Sequence, residues 1–170
     1  MSSSTREELT AAVITVSDSS FRGARPDVSG PAVAEFLQNN KFVVIATKIV
    51  PDEQSEIRKA IVELSGKARL VATTGGTGIA PRDVTPEATR AVCERFVDGI
   101  PERMRAEGVK KTPRAVLSRG VCGVREQTLV LNLPGSPKGA VESLSAVIDL
   151  LPHMLDLIAG KTEHPTKNPS

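Results

Sequence analysis

A glycine-rich segment with an arginine and an aspartate beside it is the part of this 170-residue chain best suited to bind an anion. Residues 73–87 read T-T-G-G-T-G-I-A-P-R-D-V-T-P-E and directly follow the apolar residues 70–72. Glycines at the end of a strand permit positive φ angles and expose consecutive backbone N–H groups, which together can bind phosphate. We therefore predict that substrate phosphate binds at Thr74, Gly75, Gly76, Thr77 and Gly78.

The segment matches neither of the common phosphate-binding loops. A Walker A loop requires Gly-Lys-Ser or Gly-Lys-Thr, and the chain contains neither tripeptide. The dinucleotide fingerprint G-x-G-x-x-G fails because Pro81 stands at the position of the last glycine. A lone glycine-rich turn would most often be structural, but Arg82 and Asp83 favour a binding function. Arg82 could bind phosphate or pair with a neighbouring acid.

Two further polar loops also follow predicted strands. The first begins at Ser17 and Asp18 and leads to the sequence D-V-S-G at residues 27–30. The second reads P-G-S-P-K at residues 134–138 and precedes a helix, whose N-terminus favours anions. In open α/β sheets, ligands bind at the carboxyl ends of the strands. If the three strands are neighbours in the sheet, we expect their loops to form one site.

The alternation of strands and helices predicts an α/β fold, a three-layer sandwich in which helices cover both faces of a mostly parallel sheet. The predicted strands span residues 9–17, 42–50, 69–73 and 128–133. Ser29 and Thr85 are predicted to cap helices, and residues 99–113 to form short helical turns. The last helix, residues 138–159, should kink or divide at Pro152. We predict one domain over residues 1–170, with a core at about 9–159 and flexible tails at 1–8 and 160–170.

Composition excludes several classes of protein. The net charge is only +2 and the chain has four Phe but no Trp or Tyr, so a base-stacking or strongly basic nucleic-acid surface is not expected. No apolar run reaches the roughly 20 residues of a membrane span, and residues 1–8 lack a secretory signal. Cys93 and Cys122 lie far apart in apolar surroundings, which indicates reduced, packed thiols rather than a zinc site. We therefore expect a cytoplasmic protein.

The loops resemble those of the MogA/MoaB family of molybdenum-cofactor biosynthesis proteins, which includes the G domain of gephyrin. The resemblance runs from about Ala11 to about Ile158 and keeps the family's order of motifs. The matching segments are residues 17–19, 27–30, 73–87, 118–119, 122–125 and 133–139.

The resemblance implies a fold, an activity and partners. The family fold is a three-layer α/β domain, usually a homotrimer. The catalytic branch consists of molybdopterin adenylyltransferases, which transfer AMP from ATP to the molybdopterin phosphate with Mg²⁺ and release pyrophosphate. Molybdopterin and ATP are then the small-molecule substrates, and the molybdenum-insertion enzyme is a candidate partner. A molybdopterin-binding paralogue or scaffold without catalysis is the alternative, and a domain of the insertion enzyme or of CinA-like proteins is a third.

The resemblance also assigns roles to residues of the three loops. Asp27 and Asp83 are expected to be catalytic and to hold Mg²⁺, although alone each would also fit a turn. Asp18 is expected to line the nucleotide pocket, or instead to cap its loop. The remaining expected substrate-binding residues are Ser17, Ser29, Gly30, Arg82, Pro134, Gly135, Ser136 and Lys138.

One segment departs from the family. Many relatives read R-G-K-T where this chain reads Arg125-Glu126-Gln127-Thr128, so a basic position is replaced. If that lysine contacts phosphate in relatives, affinity here should be lower. If it lies on a turn, nothing should change.

Overall fold

Apolar runs rich in β-branched residues form the strands of a single sheet in the computed structural model, which describes residues 7–162. Of the predicted tails at residues 1–8 and 160–170, residues 1–6 and 163–170 lie outside the described residues. The strands are β1 Thr10–Val16, β2 Val43–Val50, β3 Leu70–Thr74, β4 Arg95–Phe96, β5 Cys122–Arg125 and β6 Thr128–Leu133. Their order is β2-β1-β3-β6-β5-β4; the first four are parallel, whereas β5 and β4 are antiparallel.

Helices cover both faces of this sheet. They are α1 Asp18–Phe21, α2 Ser29–Asn39, α3 Gln54–Ser65, α4 Thr85–Val92, α5 Gly99–Val109, α6 Pro137–Ser145 and α7 Leu151–Ile158, with a 3₁₀ turn at Pro113–Leu117. One apolar core joins the sheet to α2, α5, α6 and α7 through residues such as Leu37, Met104 and Leu144. A second core joins the other face to α3 and α4 through Ile57, Ile61 and Ala88. The predicted three-layer α/β fold is therefore confirmed.

Local predictions near the carboxyl ends of the strands were less accurate. The loop after β1 contains α1, which had not been predicted. Ser29 and Thr85 are the first residues of α2 and α4 rather than their caps, because both hydroxyls bond to other loops. The short strand β4, which contains Phe96, had not been predicted either.

The long helices also differ in part from the prediction. Residues 99–109 form one continuous helix rather than short turns. Gly108 allows the 3₁₀ turn to pack against this helix, because a Cβ there would lie 2.7 Å from Ala115 Cβ. Pro152 marks a division, since α6 ends at Ser145 and α7 begins at Leu151. Strand β2 lies at the edge of the sheet, with Val43, Ile45 and Ile49 exposed. Between residues 7 and 162, no helix is both long and apolar enough to cross a bilayer.

Both cysteines are free thiols packed beside one another at β5 and the end of α4. Burial raises the pKa of Cys93 to about 11 and the pKa of Cys122 to about 12. At pH 8 only about one in a thousand Cys93 side chains would then be the reactive thiolate, whereas about a quarter would be so in an unfolded chain.

We therefore expect the native protein to react slowly with a thiol reagent such as dithionitrobenzoate at pH 8, and the same protein in urea to release close to two equivalents rapidly. Rapid labelling of either thiol in the native state would contradict the packing described for this region.

Candidate functional site

Three loops meet at one edge of the sheet because β1, β3 and β6 are parallel neighbours. Val13 of β1 pairs with Ala72 of β3, which pairs with Leu131 of β6, so the three carboxyl ends align. The first loop connects β1 to α2, the glycine loop connects β3 to α4, and the third loop connects β6 to α6. They surround a cavity of about 490 Å³, as their placement after neighbouring strands predicts.

Most of the predicted site residues face this cavity, but not all. Those that line it are Ser17, Asp27, Ser29, Thr74, Gly75, Gly76, Asp83, Gly135 and Ser136. Those that do not line it are Asp18, Gly30, Thr77, Gly78, Arg82, Pro134 and Lys138. The second group lies close by and, as the contacts below show, mainly holds the first group in position.

Asp27 fixes the start of α2. One carboxylate oxygen accepts a hydrogen bond from the Thr15 hydroxyl at 2.8 Å, and the other accepts from the Gly30 backbone N–H at 3.0 Å. A Cβ at residue 30 would collide with both Asp27 and Thr15. Gly30 therefore allows the close approach that Asp27 needs, and it does so without lining the cavity.

The glycine loop requires left-handed backbone at two positions. Gly75 and Gly76 have φ angles of +105° and +67°, and a Cβ on Gly75 would collide with the Val16 carbonyl. The Gly75 N–H donates to the Leu133 carbonyl at 3.1 Å. This N–H is therefore not available to bind phosphate, contrary to the prediction from the sequence. Within residues 7–162, the N–H groups of Gly76, Thr77 and Gly78 have no protein acceptor. Of these, Gly76 lines the cavity and is the best-placed phosphate donor.

Arg119, which the sequence did not single out as a site residue, holds the glycine loop from behind. Its side chain donates to the carbonyls of Gly78 and Asp83, both at 2.7 Å, and forms an ion pair with Glu87. Its backbone N–H donates to the Thr77 carbonyl at 2.8 Å. The Asp83 carboxylate accepts from the Ala80 N–H at 2.9 Å, which keeps the turn compact. The only signal in the sequence was the Ser118-Arg119 pair within the family resemblance.

Asp52 is a cavity residue that the sequence reading missed. It follows β2, and its pairing with Asp18 is reciprocal: each backbone N–H donates to the other's carboxylate, at 2.8 and 3.0 Å. Burial raises the pKa of Asp52, and the negative charges of Asp18 and Asp83 raise this pKa further, against the lowering effect of the Asp18 N–H. Pro51-Asp52 belongs to a fourth polar loop at the carboxyl end of a strand, between β2 and α3.

Asp18 and Arg82 connect the first loop to the glycine loop. The Arg82 side chain donates to both carboxylate oxygens of Asp18, at 2.6 and 3.0 Å. This hydrogen bond is the main reason that the pKa of Asp18 is lowered. Of the two readings left open for Arg82, pairing with an acid is the one observed. Asp18 positions Arg82 and Asp52 rather than lining the pocket.

Hydrogen bonds made by the hydroxyl groups of Ser29, Thr74 and Ser136 connect or cap the segments that form the rest of the cavity wall. Thr74 donates its hydroxyl hydrogen to the Pro134 carbonyl at 2.7 Å, so Ser29 must be the donor in the short Ser29–Thr74 hydrogen bond. Ser136 caps α6 by accepting from the Gly139 N–H at 3.0 Å. The Lys138 side chain is 86% exposed and lies near Glu142, outside the cavity.

The comparisons with known proteins show which family this chain belongs to. Residues 12–153 match the family model described as "Probable molybdopterin binding domain". This chain belongs to that family. It is 41% identical to the molybdopterin adenylyltransferase of Helicobacter pylori, over 87% of this chain and 86% of that protein. It is 42% identical to the molybdopterin adenylyltransferase of Escherichia coli, over 81% of this chain and 72% of that protein.

A solved structure supports the same membership. The molybdopterin biosynthesis enzyme MoaB from Thermus thermophilus superimposes with a TM-score of 0.85 at 52% identity, covering 90% of this chain and 98% of that one. The MogA/MoaB resemblance proposed from the loop motifs is therefore confirmed.

The departure from other family members at Glu126-Gln127 lies away from the cavity. These residues form the turn between β5 and β6, with Glu126 at a φ of +52°. Strand β6 runs six residues from this turn to the third loop. At about 3.3 Å per residue, the turn is roughly 20 Å from the site. The replaced basic position therefore lies on a turn at the end of the sheet opposite the cavity.

The contacts of Arg119 predict that Arg119→Ala destabilises the protein by about 2 kcal/mol, since hydrogen bonds from a charged group are lost and two loop carbonyls lose their donor. For a domain of this size, the Tm should fall by roughly 4–8 °C in thermal unfolding.

Arg114→Ala is the matched control, because Arg114 is an exposed arginine of the same segment with no side-chain hydrogen bond or ion pair within residues 7–162. An equal effect of the two substitutions would show that Arg119 does not hold the loop.

Proposed function

We propose that this protein is a molybdopterin adenylyltransferase, which transfers AMP from ATP to the terminal phosphate of molybdopterin and releases pyrophosphate. The observation that carries the proposal is the cavity in which the glycine loop, Asp83 and Asp52 meet. Family membership supports the pterin substrate, and the relatives named as adenylyltransferases support the reaction. ATP as the adenylyl donor is part of the proposal.

The reaction requires alignment and charge compensation more than a base. An oxygen of the molybdopterin phosphate, already ionised near neutral pH, attacks the α-phosphorus of ATP. The bond from that phosphorus to the bridging oxygen of the β-phosphate breaks, and pyrophosphate leaves with the electron pair. The Gly76 N–H is available to donate to a phosphate oxygen, and the third loop closes the opposite wall. Rate acceleration would then come from positioned donors and positive charge.

We propose that Mg²⁺ is held by Asp83 together with Asp52. Carboxylate oxygens are the donors that Mg²⁺ prefers, and one or two of them plus substrate phosphates is its usual arrangement. Both residues line the cavity, where burial and then the negative charges of Asp18 and Asp83 raise the pKa of Asp52. A cation bound by Asp52 and Asp83 would offset these charges. Within the described residues no three His, Cys, Asp or Glu side chains cluster to hold a metal alone. When bound, the ion would neutralise the triphosphate and the departing pyrophosphate.

Asp27, which the sequence analysis assigned to the metal together with Asp83, has a different role in this proposal. Both of its oxygens already accept hydrogen bonds, from Thr15 and Gly30. We propose that Asp27 shapes the substrate loop and contributes negative potential, whereas Asp52 supplies the second metal-binding carboxylate.

Asp83→Asn and Asp52→Asn should each lower adenylyl transfer by about 10²–10³-fold, the range seen when one preorganised electrostatic contact is removed. The assay follows adenylylated molybdopterin and pyrophosphate formed from ATP and molybdopterin. Asp149→Asn, an exposed aspartate between α6 and α7, is the control and should retain wild-type activity.

Absence of product with the wild-type protein would reject the enzymatic function. Unchanged activity of both cavity variants would instead reject the assigned acids.

Removal of divalent cations should abolish transfer, because Asp52 and Asp83 would then repel the triphosphate. Dialysis against EDTA, followed by titration with Mg²⁺, should restore activity in the wild type. The Asp52→Asn variant should need a higher Mg²⁺ concentration for half-maximal rate. Full activity in EDTA would contradict the metal-dependent mechanism.

A molybdopterin-binding protein without catalysis is the second candidate, favoured by the matched family model, whose description names binding and no reaction. Such a protein would bind the pterin but show no Mg²⁺-dependent binding of ATP in calorimetry. The intact sequence of residues 81–87 favours the enzyme.

We also propose that the protein works as a homotrimer in the cytoplasm and passes its product to the molybdenum-insertion enzyme. The family resemblance is the main support for the trimer. Exposed apolar side chains on β2, at Val43, Ile45 and Ile49, are compatible with burial between subunits. The two free thiols fit a reducing compartment.

A further inference from the structure

The cavity has one cationic side chain among its lining residues, and that side chain is Arg25. The first loop supplies it, at the wall that also carries Ser20, Pro26 and Asp27. Arg25 was not among the residues predicted from the sequence, because the loop motifs direct attention to acids, serines and glycines. Its guanidinium lies in a cavity whose other charged lining residues are the carboxylates Asp27, Asp52 and Asp83.

The guanidinium of Arg25 is not used by the protein itself. Within residues 7–162, it forms no ion pair and no side-chain hydrogen bond, although the wall beside it contains Asp27. Arg22 of the same loop is likewise unpaired among the described residues, but it does not line the cavity. Two further arginines near the cavity are paired. Arg82 is paired with Asp18, and Arg119 is paired with Glu87 and two carbonyls. Arg25 is therefore the arginine available to a ligand.

The backbone of Arg25 is nevertheless well anchored. Ala24 and Arg25 donate their N–H groups to the Ser19 carbonyl, at 2.9 and 3.3 Å, after a left-handed turn at Gly23. On the other side, Pro26 has a restricted φ angle and Asp27 is held by Thr15. A side chain that projects from such a fixed loop loses less entropy on binding than one from a free loop.

Charge also favours an anionic ligand at this position. Asp27, Asp52 and Asp83 give the cavity three carboxylates, which would repel a polyphosphate. One Mg²⁺ offsets two of these charges and Arg25 offsets the third. Arginine is suited to this because its planar fork can bind two phosphate oxygens at once.

We propose that Arg25 binds a phosphate group of the substrates and thereby fixes their position opposite the glycine loop. The proposal deepens the proposed function, since it rests on phosphorylated ligands in the same cavity. The shared chemistry is a phosphate oxyanion, and its source is either the triphosphate of ATP or the terminal phosphate of molybdopterin.

The test compares the wild type with Arg25→Ala, Arg25→Lys and Arg22→Ala by calorimetry. Arg22 is the matched control, because it is an exposed arginine of the same loop that does not line the cavity. Each protein is titrated with MgATP, with magnesium pyrophosphate and with molybdopterin. Arg25→Ala should weaken binding of the relevant ligand about 10- to 100-fold, as expected for the loss of a charge-assisted hydrogen bond. Arg25→Lys should lie between Arg25→Ala and the wild type, and Arg22→Ala should change binding less than twofold.

The ligand that loses affinity identifies the source of the phosphate. Weaker binding of ATP and pyrophosphate assigns Arg25 to the triphosphate, and weaker binding of molybdopterin alone assigns it to the pterin phosphate. Either result supports the proposal. Equal losses in Arg22→Ala and Arg25→Ala would show only a general charge effect and would overturn it, as would wild-type affinity in Arg25→Ala.

The same proteins separate this proposal from the proposed function. If the wild type binds these anions through Arg25 but forms no adenylylated product, the enzymatic function fails and the phosphate-binding role stands. If the wild type forms product and Arg25→Ala matches it in binding and rate, only the role of Arg25 fails. If the wild type binds none of the three ligands, both proposals fail.

Discussion

Parallel pairing of β3 with β1 on one side and β6 on the other, together with the pairing of β1 with β2, determines where the loops around the cavity lie. Parallel strands end at the same edge, so the chain segments that leave them must begin side by side. The glycine loop occupies the centre of this arrangement, where Gly75 packs against the Val16 carbonyl and its N–H bonds to the Leu133 carbonyl. A side chain at residue 75 would push β1 and β3 apart at the point where the cavity forms. The contacts of Gly75 with β1 and β6 therefore hold the strand ends together and also place the glycine loop in the cavity wall.

The charged side chains around the cavity fall into two groups. Three carboxylates, Asp27, Asp52 and Asp83, line the cavity, whereas Arg82 and Arg119 lie outside it and hold the loops through Asp18 and through backbone carbonyls. Burial is the main reason that the pKa of Asp52 is raised, and the negative charges of Asp18 and Asp83 raise this pKa further. The cavity is therefore poorly suited to a free anion and well suited to an anion that arrives with a metal ion.

The sequence was sufficient to predict the fold class, the family and the loops. The spacing of apolar residues, the turn residues and the order of the motifs all indicate the same fold. The sequence was insufficient where tertiary contacts decide. Ser29 and Thr85 look like helix caps, yet both hydroxyls bond across to other loops, which no local pattern reveals. Strand β2 has the apolar run of a central strand but lies at the edge, since composition does not give strand order. Asp52 was missed because a Pro-Asp pair before a helix is ordinary, and only the pairing with Asp18 places it in the cavity.

The central claim is that Asp52 and Asp83 jointly hold the metal of a nucleotide site beside the glycine loop. A crystal structure of the protein with a non-hydrolysable ATP analogue and Mn²⁺ in place of Mg²⁺ tests it most directly, because the anomalous signal of manganese locates the ion. The account predicts one metal peak about 2.1–2.2 Å from carboxylate oxygens of both Asp52 and Asp83, with a phosphate oxygen facing the Gly76 N–H. A metal bound without either aspartate, or a nucleotide seated away from the glycine loop, would contradict it.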